Sequence, residues 1–221
     1  MYAKPPYETS ELEPVTLGGR IDFVLVVNPQ VLPVKTVGEI IDQSLKLPSG
    51  LNYASPGVGR RHDFAMELFA RASGANLTKI SYKGGAPAAQ DLLAGQVSLM
   101  FMDRATARPY IESGKLRLIA VAGAKRIGAY PNVPTVAEAL RKDFAIDDWL
   151  GFSVRKGTPP EVIEKLNAAF AKTATSSAVQ EKLNESGIVV APVSVSEFAR
   201  FSQAESADSK ELIRRLNIKL E

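Results

Sequence analysis

The strongest constraint on this chain is a regular alternation of short apolar runs with amphipathic stretches between Phe23 and Ala122. Phe23-Val24-Leu25-Val26-Val27 is apolar at every position. A run without inside–outside alternation fits a strand covered on both faces, as in a parallel sheet flanked by helices. Asn28-Pro29 ends it. Thr36-Val37-Gly38-Glu39 is a capping-box pattern that opens a helix through Leu47, and Pro48-Ser49-Gly50 stops that helix. Leu51–Ser55 reads as the next strand, followed by a glycine turn and a helix with Phe64, Ala65, Leu68, Phe69 and Ala72 on one face. Thr78–Tyr82, Val97–Met102 and Leu116–Ala122 read as further strands, separated by helices over Ala86–Ala94 and up to Ser113. This rhythm predicts a doubly wound, mostly parallel α/β sheet.

The flanks read differently. Pro5–Ser10 has the composition of a surface strap, and Val15-Thr16-Leu17 is β-rich. After a loop at Ala129–Pro134 and a short helix from Thr135 to Leu140, Trp149–Val154 reads as a strand. Thr158-Pro159-Pro160-Glu161 then opens a helix, with Thr158 as N-cap and Val162, Leu166, Ala169 and Phe170 as its buried stripe. A helix ending at Gly187, a strand at Ile188–Ala191 and a long helix capped by Ser194 with Glu197 follow. Trp149 is expected in a core or crevice wall, and Tyr110 and Tyr130 in packing positions.

Charge and residue usage exclude several classes of function. The formal net charge is +3, with no run of Lys or Arg interleaved with aromatics, so a nucleic-acid partner is not indicated. The chain has no cysteine, which removes disulfides, thiolate metal sites and Cys nucleophiles. Its single histidine, His62, leaves no multi-histidine metal site, and it reads first as a packing or capping residue. No apolar run approaches the ~18 residues of a membrane helix. Met1–Tyr7 has no apolar h-region of the kind a signal peptide carries. Catalytic signatures are missing: there is no G-x-S-x-G elbow, no phosphate-binding G-x-x-x-x-G-K-[ST] loop and no paired acids in a recognisable context. The sequence therefore predicts neither an enzyme nor a cofactor or metal site.

Chemistry concentrates in the loops that follow three strands. Ser55-Pro56-Gly57-Val58-Gly59-Arg60 lies between a strand and a helix, where small glycines admit a ligand to the backbone and the first helical turn attracts an anion. Alone this pattern is as often a plain tight turn. It is a poor dinucleotide fingerprint, because the third glycine would fall at His62. Tyr82-Lys83-Gly84-Gly85-Ala86 is a second loop of the same kind, with Lys83 adding positive charge. Asp103-Arg104 ends the next strand, either on the same rim or as a plain surface ion pair. In open α/β sheets ligands bind at the carboxyl ends of the strands. Ser55, Gly57, Val58, Gly59, Arg60, Tyr82, Lys83, Gly84, Gly85, Ala86 and Asp103 are therefore the candidate ligand-binding residues.

Several of these segments resemble the Bug-type (TctC-like) receptors of tripartite tricarboxylate transporters. Asn52-Tyr53-Ala54-Ser55-x-Gly57-x-Gly59-x-x-His62 is similar to the opening of that family's second lobe. Tyr82-Lys83-Gly84-x-x-Pro87-Ala88-x-x-Asp91-Leu92-Leu93-x-Gly95-Gln96-Val97 and Gly114-Lys115-Leu116-Arg117 continue the likeness. Pro131-x-Val133-Pro134-Thr135-Val136-Ala137-Glu138, Trp149-x-Gly151 and Gly157-Thr158-Pro159 complete it, in order over nearly the whole chain. The resemblance implies a type-II periplasmic-binding fold of two lobes and a hinge. It also implies a periplasmic receptor that passes a small carboxylate, amino acid or aromatic acid to membrane permease subunits.

Three departures qualify the likeness. Arg60 stands where the family usually has Ser or Thr, and Ser98 where it has Asp. The family's signal peptide and the opening of its first lobe have no counterpart. On that reading residues 1–20 are a hinge-proximal strap and remnant of lobe 1, 21–147 are lobe 2, and 148–221 are the return strand and C-terminal part of lobe 1. Lobe 2 would be complete and lobe 1 partial. The expected consequences are weakened ligand binding, cytoplasmic location of the chain if expressed as given, and an apolar patch around Val162, Phe170, Ile188, Phe198 and Leu212 that promotes self-association. Two other readings stand beside this one. They are an effector-sensing domain of a transcription regulator, for which residues 1–20 leave no helix-turn-helix, and a phosphate-binding α/β transferase.

Overall fold

A computed structural model describes residues 8–216, so the Pro5–Tyr7 part of the expected strap lies outside the described residues. A short 3-10 turn at Thr9–Glu11 leads into β1 (Leu12–Ile21) and β2 (Phe23–Val27). Then come α1 (Val37–Lys46), β3 (Leu51–Ser55), α2 (Arg61–Ser73), β4 (Leu77–Ser81) and α3 (Gly85–Leu93). These are followed by β5 (Leu99–Asp103), α4 (Arg104–Glu112), β6 (Arg117–Val121) and α5 (Val136–Leu140). The chain closes with β7 (Asp148–Arg155), α6 (Pro160–Ala174), α7 (Ser177–Glu185), β8 (Ile188–Val190) and α8 (Val195–Leu216). It divides into two compact units, one formed by Asp22–Asp147 and the other by the residues up to Ile21 with those from Asp148 onward.

The larger unit is a five-stranded sheet in the order β4-β3-β5-β2-β6. β3 runs parallel to β4 and β5, whereas β2 is antiparallel to both β5 and β6. The sheet is thus mixed. The all-apolar run Phe23–Val27 is buried at every residue, as its pattern requires, but it does not run in the parallel sense expected of it. Burial on both faces reports covering layers and not strand direction. β2 starts at the edge where β5 ends, Phe23 lying opposite Asp103, and so must run against its neighbours.

Helices cover this sheet with conventional signals. Thr36 caps α1 by accepting the Glu39 N–H, while the Glu39 carboxylate takes the Lys35 N–H, one residue before the usual capping-box partner. Thr135 and Glu138 make the complete reciprocal box at α5. On α2, Phe64, Ala65 and Phe69 are buried, together with Met66 and Asp63. Phe101 of β5 meets Phe69 edge-on at 6.1 Å and stacks with Phe144 at 6.3 Å. Tyr110 packs half-buried on the core, as expected.

The smaller unit is a three-stranded antiparallel sheet, β7-β1-β8. β1 is ten residues long, far beyond Val15–Leu17, and irregular where Pro14 and Gly18 interrupt it. Gly18 is there for contact reasons: a Cβ on it would lie 2.6 Å from the Phe152 ring. Trp149, half-buried, packs edge-on against Phe198 and Phe201 and donates its indole N–H to Glu205 at 3.1 Å.

Two helix readings need correction. α6 begins at Pro160 with Pro159 as N-cap, and the Thr158 hydroxyl instead donates to the Arg155 carbonyl. Its buried residue is Ile163, while Val162 is 40 % exposed. The inner face also carries Asn167, whose amide donates to the Val15 and Val193 carbonyls at 2.8 Å each. A polar side chain tying β1 to the segment between β8 and α8 cannot be seen in an apolar stripe. Phe198, expected in an exposed patch, is only 2 % exposed because α8 places it against β7. An apolar groove of about 240 Å³ does remain, between Phe152, Phe170, Val179, Leu183 and Ile188.

Candidate functional site

Because β3 lies between two parallel partners, the carboxyl ends of β4, β3 and β5 are adjacent on one edge of the five-stranded sheet. The three candidate loops follow those ends. The first two are laced together: the Tyr82 N–H donates to the Ser55 carbonyl at 2.8 Å, and the Gly84 N–H to the Pro56 carbonyl at 3.0 Å. Gly57, at φ +134°, brings its backbone close enough that a Cβ there would sit 3.6 Å from the Tyr82 carbonyl oxygen and 3.8 Å from Arg60 Nε. Only glycine adopts that backbone readily.

The third strand end joins through the helix after the first loop. Asp103 Oδ1 lies 2.9 Å from His62 Nε2 in the first turn of α2. The His62 ring lies against Phe23, centroids 4.1 Å apart. Asp103 and Arg104 are therefore not partners of each other. Arg104 Nε lies 3.4 Å from Asp22 Oδ2, and among the described residues it is a buried nitrogen without a hydrogen-bond partner. Burial raises the Asp22 carboxyl above its ordinary value, and the nearby Asp147 adds to this against the opposing Arg104 charge.

Under the first loop lies a polar network that sequence reading missed. Asp63 is fully buried. One carboxylate oxygen accepts the Ser55 hydroxyl at 2.8 Å and an ion pair from Lys79 Nζ at 3.0 Å. The other accepts the Gly59 N–H at 3.4 Å, while the Gly57 N–H reaches the Ser55 hydroxyl oxygen at 3.3 Å. Lys79 also binds Glu67 at 2.9 Å, and Glu67 accepts the Tyr53 hydroxyl at 2.9 Å. The register explains the cluster: Tyr53 and Lys79 are paired across parallel strands, and Asp63 and Glu67 are one helical turn apart. In the sequence Asp63 and Glu67 stand only as two acids at i, i+4 on a helix that also carries Arg61, His62 and Arg71, a pattern that does not set them apart from a solvated face.

The candidate residues now separate by role. Ser55 is buried and structural towards the loop. The N–H groups of Gly57 and Gly59 point inward to Ser55 and Asp63, so this loop does not present them to a ligand. Val58, Arg60, Lys83, Gly85 and Ala86 are exposed, and Arg60 makes no side-chain cap to α2. Gly84 caps α3 at φ +119°, leaving Gly85 and Ala86 in the first turn of that helix. The Tyr82 hydroxyl donates to Asp91 at 2.8 Å; burial first, and then that carboxylate, push its pKa up to about 12. Among the described residues no cluster of His, Asp or Glu could hold a metal ion, and no helix is long and apolar enough to cross a membrane.

The mixed α/β fold matches those of periplasmic binding proteins, BugD among them at a TM-score of 0.83 and 28 % identity over 100 % of this chain and 75 % of that one. The model of the family TctC, tripartite tricarboxylate transporter family receptor, matches residues 1–218, and the chain belongs to that family. It is 33 % identical over 183 residues to protein BugT of Bordetella pertussis, a match that takes in 82 % of this chain and 56 % of that protein. The chain thus spans little more than half the length of that relative. Among solved structures, R. palustris Rpa4515 with adipate matches at a TM-score of 0.88 and 29 % identity, over 99 % of this chain and 73 % of the other. MatC (Rpa3494) from Rhodopseudomonas palustris with bound malate matches at 0.80 and 27 %, over 96 % and 72 %. The family is one of solute-binding receptors.

Proposed function

We propose that this chain provides the anion-binding edge of a periplasmic receptor that captures a small carboxylate for the permease subunits of a tripartite tricarboxylate-type transporter, and that it does no chemistry on its ligand. The observation that carries this reading is the gathering of the loops after β3, β4 and β5 on one sheet edge, the first two hydrogen-bonded to each other. The ligand contacts assigned here are the first turns of α2 and α3, Arg60 and Lys83. A helix N-terminus offers N–H donors and a favourable dipole to a carboxylate, and a guanidinium can take one as a bidentate pair. Similar receptors solved with adipate and malate support a dicarboxylate of about that size.

Calorimetry with adipate, malate, benzoate and ATP tests the proposal. Binding of at least one dicarboxylate, with Arg60→Ser weakening it by at least about tenfold, is the expected outcome, since a charge-assisted pair contributes roughly 1.5–3 kcal/mol. Binding of ATP with no carboxylate bound would instead support the phosphate-binding transferase. We also propose that the open apolar groove beside Phe152 drives self-association of this chain. Sedimentation velocity showing a compact monomer at tens of micromolar would overturn that.

A further inference from the structure

The contacts around Asp63 have a consequence beyond holding α2 to the sheet. A fully buried carboxylate sits directly below a loop expected to receive an anion, which by itself would repel the ligand. One feature offsets this: Lys79 Nζ lies 3.0 Å from Asp63 Oδ1. Asp63 is also the acceptor that holds the Gly59 N–H inward and so fixes the course of the loop. With Ser55 holding Gly57, the loop is clamped from beneath at both glycines, whose positive φ values leave the backbone intrinsically free. Clamping before binding lowers the ordering cost of catching the ligand.

We propose that Asp63 is a positioning residue of the anion-binding loop, and that Lys79 is the counter-charge that makes a carboxylate tolerable beneath an anion site. The proposal rests on the receptor reading for its ligand, but not for the state of the loop. The five-residue network divides into two halves about Lys79. Asp63 and Ser55 touch the loop, whereas Glu67 binds Lys79 without touching the loop and accepts the Tyr53 hydroxyl. A purely structural role would make the two halves equivalent.

The test uses the whole chain without ligand and then with adipate and malate as probes. Amide hydrogen exchange followed by NMR reads Gly57 and Gly59 directly. In Asp63→Asn the amide nitrogen or the rotated oxygen cannot satisfy both Lys79 and the Gly59 N–H, and the Gly59 amide is expected to exchange at least tenfold faster. Glu67→Gln should change that rate less than twofold. Should Asp63→Asn fail to fold, Ser55→Ala removes only the hydroxyl and should release the Gly57 amide in the same way. Lys79→Gln leaves the buried charge bare and is expected to weaken the dicarboxylate at least tenfold, with a loss larger at low than at high salt. Equal acceleration of Gly59 exchange in Asp63→Asn and Glu67→Gln would overturn the positioning role. An unchanged affinity in Lys79→Gln would overturn the counter-charge. If the wild type binds neither probe while the exchange contrast holds, the carboxylate reading fails and the clamp stands.

Discussion

The two units solve the problem of burying a sheet to different extents. In the larger, every residue of β2 is buried, and Leu99, Phe101, Leu92 and Val121 join it with no exposed surface. In the smaller, Val15, Leu17, Ile163 and Phe198 are the buried apolar residues among those described, while Leu150, Phe152 and Val189 on its edge strands are 43–45 % exposed. The first sheet has strands protected on both faces; the second has edge strands with exposed apolar residues and a groove against one face. The consequence is a division of labour. The unit that carries the candidate loops is rigid enough to hold them, and the other has surface to spare for further contacts.

That contrast is most exposed to a matched pair of truncations. Phe101→Ala removes a fully buried ring between Phe69 and Phe144 and should destabilise the larger unit by about 3–5 kcal/mol. Phe152→Ala removes a ring that is 43 % exposed and stacked on Phe170, and should cost about 1 kcal/mol. Urea unfolding followed separately by Trp149 fluorescence and by far-UV dichroism measures both. Equal losses would erase the distinction between a closed and an open core.

Hydrogen exchange sharpens the comparison without mutation. Backbone groups of β2 lie between two strands under helices and should open only with the whole unit. β7 is an edge, and its exposed residues should exchange faster by at least tenfold. Protection in β7 equal to that in β2 would mean that the groove is covered in solution.

Acid should weaken the larger unit through Glu67. Burial alone would raise the Glu67 carboxyl, but the hydrogen bonds from Lys79 and Tyr53 outweigh it and hold the group below its ordinary value of 4.5. A depressed folded value means stability that is full above the unfolded value and lost as pH falls through the folded one. Lys79, held above 10.5 by Glu67 and Asp63 against the effect of burial, loses its contribution only as pH rises beyond that value. The urea midpoint should thus fall below about pH 4.5 in the wild type, and fall less steeply in Glu67→Gln.

Much of this was legible in the sequence where chemistry repeats locally. Thr36, Thr135 and Ser194 announce their helices, and Phe23–Val27 announces its burial. The mixed direction of β2 was not legible, because its apolar run is the same for either sense. The length of β1 was hidden by Pro14, Gly18 and Gly19, which argue against a strand unless one knows that bulges and a Phe152 ring accommodate them. At the site, the three loops were visible as glycine turns after strands. Asp63 was not, since a carboxylate on an apolar helix face has meaning only once Ser55, Gly59 and Lys79 surround it.

The smallest expected effect concerns the helix caps, and it removes a confounder from the comparison. Thr36 caps α1 in the larger unit through the Glu39 N–H at 3.1 Å, and Ser194 caps α8 in the smaller through the Glu197 N–H at 3.3 Å. Each glutamate also bonds backwards, to the Lys35 N–H and the Ser194 N–H respectively. Both hydroxyls are exposed, so the loss on Thr36→Ala or Ser194→Ala depends on the cap and little on core packing. Each substitution should cost about 1 kcal/mol, since an unpaired first-turn donor falls back on water in both units. If Ser194→Ala cost several times more than Thr36→Ala, the weakness of the smaller unit would lie in the docking of α8 and not in its open sheet. Equal losses in thermal unfolding would leave core burial as the difference between the two.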